Sequence, residues 1–123
     1  LYARRVRSVN PVPSLTRAAF LVLLALASGE RHGYAVMQFA EQTTDGRIRL
    51  PPGTLYRTIS RLVADGFVEE IEGQDADAPH DARRRYYRLT ELGQRAAEEE
   101  AELISRLARA SSGAGLARSA RGT

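Results

Sequence analysis

The sequence contains no cysteine, which excludes a disulfide framework and any thiol chemistry. The two histidines, His32 and His80, lie far apart along the chain, and without cysteine a zinc site would have to rest on carboxylates. We therefore predict that the protein binds no metal ion, and nothing in the sequence indicates a cofactor.

Long apolar runs are also missing, and none approaches the length that a membrane span requires. The first residues are basic, but Asn10, Pro11 and Pro13 interrupt the apolar stretch that a signal peptide would need. These absences favour a soluble, cytoplasmic protein that has no membrane partner.

Common enzyme motifs are absent as well. The chain has no lysine, and no segment resembles the glycine-rich phosphate-binding loop that ends in one. No serine or cysteine nucleophile motif is present. The neighbouring carboxylates of Glu98, Glu99 and Glu100 are typical of a solvent-exposed helix face. We therefore predict that the protein is not an enzyme.

The net charge of +3 comes from 18 arginines against 15 acidic residues. Five of the arginines lie in the terminal segments, namely Arg4, Arg5, Arg7, Arg118 and Arg121. Residues 15–110 therefore hold 13 arginines and all 15 acidic residues, a net charge of −2. Because the basic excess belongs to the tails, a nucleic-acid partner must be argued from where charges cluster.

A chain of 123 residues has the size of one domain. Residues 1–14 are basic and contain two prolines, and residues 111–123 are rich in glycine, alanine and serine. Both compositions are typical of tails. We expect a flexible basic tail at residues 1–14 and a disordered tail at residues 111–123.

The structured region opens with two predicted helices. The first begins at Thr16, a residue type that caps helix N-termini, and stops at Gly29. Its middle is apolar on nearly all sides, which suggests a partner chain on one face. The second helix runs from about residue 34 to residue 43, and a short extended piece follows at residues 47–50.

A third helix begins at Pro52 and is closed by Gly66. Its apolar residues recur at the spacing of one helix face and are Leu55, Ile59, Leu62 and Val63. The opposite face carries Arg57, Ser60, Arg61 and Ala64. We predict that this polar face contacts nucleic acid, and the alternative is an ordinary solvent-exposed helix surface.

The first turn of the third helix has the chemistry of an anion site. A helix N-terminus presents free N–H groups and a positive dipole end, and Gly53 has no side chain to keep a phosphate away. Thr54 and Tyr56 supply hydroxyl groups. Arg57, one turn into the helix, is predicted to reach a base edge or a phosphate. Arg61, a turn further on, is predicted to contact the nucleic-acid backbone.

Residues 67–72 and 83–89 are predicted to form two strands joined by a long loop, a hairpin of the kind called a wing. Arg84 and Arg85, at the base of the second strand, are predicted to track phosphates or enter the minor groove. The alternative is that these arginines pair with aspartates of the same loop, namely Asp75, Asp77 and Asp81.

The final helix, residues 90–110, starts at Thr90, ends near Ala110 and carries an apolar stripe. Together with the first helix it is predicted to form a two-fold dimer interface, whose residues are Phe20, Leu24, Leu92, Ala96, Leu103, Ile104 and Leu107. The alternative is that the stripe covers its own domain.

The order of elements predicts a winged helix-turn-helix at residues 15–89, in a mainly α fold with a small β-hairpin (α+β).

Three segments strongly resemble the PadR family of bacterial transcriptional regulators: LVLLALASGERHGYAVMQ, LPPGTLYRTISRLVADGFVEE and RRRYYRLTELGQRA. The likeness spans about residues 15–110. The chain resembles the short form of the family, which has one C-terminal helix. It implies a homodimeric winged helix-turn-helix, usually a repressor, with a C-terminal dimerisation helix. It also implies that Tyr34 lies near the DNA backbone, that Thr54, Tyr56 and Arg57 lie at the major groove, and that the wing arginines lie beside the duplex.

We therefore expect a sequence-specific DNA-binding transcriptional regulator. It would be a repressor that binds a palindromic operator in double-stranded DNA as a homodimer and is associated with the nucleoid. Whether a small-molecule effector releases it stays open. The alternative function is a winged-helix module that binds another protein without sequence-specific DNA binding.

Overall fold

The computed structural model describes residues 15–72 and 85–116. These residues form four helices and a three-stranded antiparallel sheet. The helices are α1 (Arg17–Ala27), α2 (Gly33–Thr43), α3 (Pro52–Ala64) and α4 (Glu91–Gly113), and the strands are β1 (Arg31–His32), β2 (Val68–Glu72) and β3 (Arg85–Leu89). This is the mainly α winged helix-turn-helix that the sequence predicts, with β2 and β3 as the strands of the wing.

Helix α1 lies at the centre of the core. As predicted, Thr16 caps it, and its hydroxyl oxygen accepts a hydrogen bond from the N–H of Ala19 at 3.0 Å. Helices α2, α3 and α4 and strand β3 all pack against α1. The apolar middle of the helix is therefore largely covered within one chain, and only Phe20 and Leu24 of that segment stay partly exposed.

The sheet has the strand order β1–β3–β2. In the wing, Val68 lies opposite Leu89 and Glu70 lies opposite Tyr87. Side chains of paired residues share a face, and alternate pairs lie on the same face. Because Val68 and Tyr87 are both buried, this face of the wing is the one that packs against the helices.

The extended piece predicted at residues 47–50 is not a strand of the sheet. The third strand is β1, and Arg31 and His32 pair with Tyr87 and Tyr86 of β3. A strand of two residues is too short to produce an alternating pattern in the sequence, so the period-two signal could not reveal it. The consequence is that the wing is joined by hydrogen bonds to the segment immediately before α2.

Residues 47–50 instead belong to an irregular link between α2 and α3. The Thr44 hydroxyl holds this link, since it donates to the carbonyl of Ala40 at 2.8 Å and accepts from the N–H of Ile48 at 3.0 Å. Leu50 is buried in the core at the end of the link. The link therefore sets where α3 begins.

Helix α4 is attached to the core at its first turns. Thr90 caps it as predicted, because its hydroxyl accepts from the N–H of Gly93 at 3.0 Å and donates to the carbonyl of Gly66 at 2.6 Å. Gly93 and Ala97 are buried. The helix continues to Gly113, three residues beyond the predicted end near Ala110.

No helix within residues 15–72 and 85–116 is long and apolar enough to cross a membrane.

Gly93→Ala should destabilise the fold. A Cβ at this position would overlap the backbone carbonyl oxygen of Phe67, an atom that cannot rotate aside. Overpacking of this kind costs about 1–3 kcal/mol of unfolding free energy. Urea denaturation followed by circular dichroism measures it.

Gly113→Ala, near the other end of the same helix, is the matched control. Nothing lies within 4 Å of the Cβ that it would add, so this variant should be unchanged or more stable by up to about 1 kcal/mol. Equal stability of the two variants would contradict the close packing of α4 on Phe67, the residue before β2.

Candidate nucleic-acid interface

The N-terminus of α3 is open. Pro51 occupies the capping position, and no side chain donates or accepts a capping hydrogen bond there. The N–H groups of the first turn are therefore available to an anion. Gly53 is exposed, and nothing lies within 4 Å of the position that a Cβ would take. The geometry suits the close approach of a phosphate that the sequence predicts at Gly53.

The faces of α3 divide largely as its periodicity predicts. Leu55, Ile59 and Leu62 are buried, but Val63 is 39% exposed, so its assignment to the inner face is wrong. Arg57 and Arg61 are exposed, and neither forms an ion pair with another residue of the described part of the chain. Both guanidinium groups are therefore free to bind an external anion.

Tyr56 lies against Gly33, the first residue of α2. A Cβ on Gly33 would overlap the Tyr56 hydroxyl and lie 2.9 Å from Cζ of that ring. The φ of Gly33 is not in the left-handed region, so its backbone conformation does not require glycine. The absence of a side chain at Gly33 instead lets Tyr56 bridge the first turns of α2 and α3.

This contact places Tyr34, which follows Gly33 and is 60% exposed, beside the N-terminal end of α3. Thr54, one turn before residue 57, is half-buried on the same end of α3. The structure therefore brings Tyr34, Thr54, Tyr56 and Arg57 to one end of the helix pair.

His32 has a structural role that the sequence interpretation missed. Its Nδ1 atom accepts a hydrogen bond from the N–H of Ala35 at 3.2 Å and so caps α2. Its ring packs edge-on against Tyr86 of the wing, with 5.5 Å between ring centroids. The signal that could have revealed this role is a polar side chain directly before a helical segment, which is typical of a cap.

Arg31 is also a structural residue. Its Nε donates to the carbonyl of Ala25 at 2.7 Å and its Nη2 donates to the Ser28 hydroxyl at 3.1 Å. The guanidinium lies 5.4 Å from the ring centroid of Phe39. These contacts fasten β1 to the end of α1 and to α2.

Arg85, a predicted site residue, is the first residue of β3 and lies at the end of the wing strands next to the loop. Nε of Arg85 lies 3.4 Å from a carboxylate oxygen of Glu70, and both side chains are largely exposed. Burial raises the pKa of the Tyr87 hydroxyl, the nearby Glu70 and Tyr56 raise it further, and Arg85 opposes this. Helix α3 packs against β2, so this part of the wing lies next to the helix. Arg84 lies outside the described residues.

A second surface lies along α4. From residue 98 to residue 110 every residue is exposed except the half-buried Glu100. Among the predicted interface residues, Leu92, Leu103, Ile104 and Leu107 are 46%, 42%, 41% and 57% exposed, and Ala96 is half-buried. The alternative that the stripe covers its own domain therefore applies to only a small part of the stripe.

Comparison with known proteins agrees with this geometry. A family model described as the transcriptional regulator PadR-like family matches residues 22–99, more than half of the chain. The chain belongs to the PadR-like family. Proteins of this family are DNA-binding transcriptional regulators and not enzymes.

The relatives that the chain matches differ in length. A transcriptional regulator of Mycobacterium tuberculosis is 39% identical over 89 residues, which cover 72% of this chain and 76% of that protein. An uncharacterized 37.1 kDa protein in a transposon of Streptomyces fradiae is 39% identical over 90 residues, which cover 73% of this chain. Those residues are only 24% of the Streptomyces protein.

A solved structure shares the fold. A PadR family transcription regulator from Clostridium difficile R20291 superposes with a TM-score of 0.64 at 20% sequence identity. The superposition covers 79% of this chain and 96% of that one. It confirms the PadR-like winged-helix architecture.

Gly33→Ala should displace Tyr56 from α2 with a small effect on stability. The added Cβ would meet the far end of a flexible side chain, so the Tyr56 ring can rotate away. We expect altered NMR signals of the Tyr56 ring and a loss of unfolding free energy at or below about 1 kcal/mol.

Gly53→Ala is the control for this change, since its Cβ would meet nothing within 4 Å. It should leave the Tyr56 ring signals unchanged. Identical Tyr56 signals in Gly33→Ala and the wild type would show that the ring does not lie on Gly33.

Proposed function

We propose that this PadR-like protein represses transcription by binding a palindromic operator as a homodimer. The observation that carries the proposal is the exposed, uncapped start of α3, which is followed by two arginines without ion-pair partners among the described residues. Such an end combines an anion site with side chains that are long enough to reach base edges. A regulator of this kind acts at the nucleoid.

Each predicted site residue has a role in this proposal. The N–H groups near Gly53 bind a phosphate, and Thr54, Tyr56 and Arg57 face the major groove. Arg61 contacts the DNA backbone. The exposed Tyr34 does the same from α2. Arg84 and Arg85 of the wing are proposed to lie beside the duplex.

The proposed dimer uses α4 as its dimerisation helix, with Phe20 and Leu24 of α1 at the edge of the interface. Its support is the row of exposed apolar side chains on α4, which one chain leaves in contact with water. A two-fold dimer sets two copies of α3 about 34–36 Å apart, one turn of B-DNA, and this spacing requires a palindromic site. Release by a small-molecule effector is a hypothesis that rests on the family resemblance alone.

The net charge of −2 over residues 15–110 favours a second candidate, a winged-helix module that holds another protein. The dependence of binding on salt concentration distinguishes these two functions. The binding constant for DNA falls with salt with a log–log slope of about −0.9 for each phosphate neutralised. A mainly apolar protein contact should barely respond.

Arg57→Ala should weaken operator binding by about 1–3 kcal/mol and relax the sequence preference, because a bidentate contact to a base would be lost. Fluorescence anisotropy on operator and on random-sequence duplex measures both effects. Arg109→Ala removes an exposed arginine from the distant end of α4 and should bind like the wild type. Equal losses on operator and random DNA would mean that Arg57 touches only phosphate.

Leu103→Asp should convert the dimer to a monomer and abolish tight operator binding, since a carboxylate would enter the apolar stripe. Sedimentation velocity measures the oligomeric state. Ser105→Asp adds the same charge at another exposed position, about 200° around the helix from Leu103 and about 100° from Ile104, and should remain dimeric. A Leu103→Asp protein that sediments as a dimer would refute the proposed interface.

A further inference from the structure

Glu70 is an acidic neighbour of Arg85, a wing arginine that is proposed to lie beside DNA. It lies on β2 opposite Tyr87, and Arg85 lies two residues before Tyr87 on β3, opposite a second glutamate, Glu72. Because alternate pairs of an antiparallel ladder share a face, Glu70, Arg85 and Tyr87 project to the same side. There a carboxylate oxygen of Glu70 lies 3.4 Å from Nε of Arg85.

This face adjoins the start of α3. Tyr87 is buried beneath it, and Glu70 and Tyr56 both act on the pKa of the Tyr87 hydroxyl, after the larger effect of burial. Helix α3 also packs against β2, the strand that carries Glu70, and the side chain of Tyr56 on α3 is 46% exposed. A duplex that contacts α3 and Arg85 of the wing brings its phosphates close to Glu70.

Arg85 and Glu70 form an ion pair on the surface of the wing. Arg85 is 72% exposed and Glu70 is 45% exposed, and ion pairs in such positions are weak. A phosphate can therefore replace the carboxylate as the partner of Arg85. When it does so, the carboxylate remains beside the duplex without its partner and repels the phosphates.

We propose that Glu70 limits the affinity of the wing for the DNA backbone by holding Arg85 in an internal ion pair. The inference rests on the proposed function. Since phosphates carry no sequence information, Glu70 weakens binding to every duplex by a similar factor. It leaves discrimination between sequences to α3 and keeps the protein from being trapped on random DNA.

The wing contains a matched control. Glu69 and Arg88 form the neighbouring cross-strand pair, and the Nε of Arg88 lies 2.7 Å from a Glu69 carboxylate oxygen. This pair projects to the opposite face, because successive pairs alternate. Glu69→Gln and Glu70→Gln change the net charge equally, so a difference between the two variants reports position and not total charge.

The test measures binding of a labelled random-sequence duplex against salt concentration. We expect Glu70→Gln to bind about five- to tenfold more tightly than the wild type at about 0.1 M salt, with a log–log slope steeper by about 0.9, because one more cation is free to neutralise a phosphate. Glu69→Gln should match the wild type. Glu70→Gln combined with Arg85→Ala should return to wild-type affinity.

The outcomes separate this inference from the proposed function. If the Glu70→Gln variant binds the random-sequence duplex no more tightly than the Glu69→Gln variant, the inference is overturned. This holds even if the wild type selects operators from genomic DNA. A gain that persists in the double variant overturns it too, since Arg85 would then play no part. A wild type that selects no genomic site, while Glu70→Gln still gains affinity through Arg85, overturns the proposed function and leaves the inference standing.

Discussion

The packing of Tyr56 on Gly33 is the contact on which the geometry of the candidate interface depends. It joins the first turns of α2 and α3, and a side chain larger than hydrogen at Gly33 would occupy the place of the Tyr56 hydroxyl. The residue before Gly33 caps α2 and touches the wing through Tyr86. One short segment, residues 31–33, thus positions α2, the wing and the exposed Tyr34 relative to α3.

A small core imposes the second constraint. It covers α1 and the inner face of α3, but it reaches only the first turns of α4, where Gly93 and Ala97 are buried. The remainder of this 23-residue helix extends beyond the domain with its leucines exposed. Pairing with another copy, as we propose, would cover this apolar surface and add stability, and it is also what reading a two-fold operator requires. In the proposed account one helix therefore serves both stability and function.

Much of the fold follows from local signals in the sequence. The caps at Thr16 and Thr90, the start of α3 at Pro52 and its end at Gly66 are recognisable because each residue type solves a specific backbone problem. The same argument failed at the end of α4. Its last turn is made of small residues that resemble a tail, and the decisive signal is Gly115, whose φ of 82° closes the helix.

What the sequence did not reveal depends on contacts between distant residues. Strand β1 is too short for a periodic pattern, and its existence follows from pairing with β3. The role of Gly33 depends on Tyr56, 23 positions later, and the exposure of Val63 depends on how far the core extends. The pairing of Arg85 with Glu70 depends on the register of the wing, which the long loop between its strands leaves unspecified.

The central claim is that the protein binds operators with two-fold symmetry. The most direct measurement incubates the purified protein with fragmented DNA from its own genome at near-physiological salt and sequences the fragments that it retains. The account predicts a few enriched sites that share a palindrome with half-sites about one helical turn apart. Uniform retention across the genome, or no retention by a folded dimer, would contradict it.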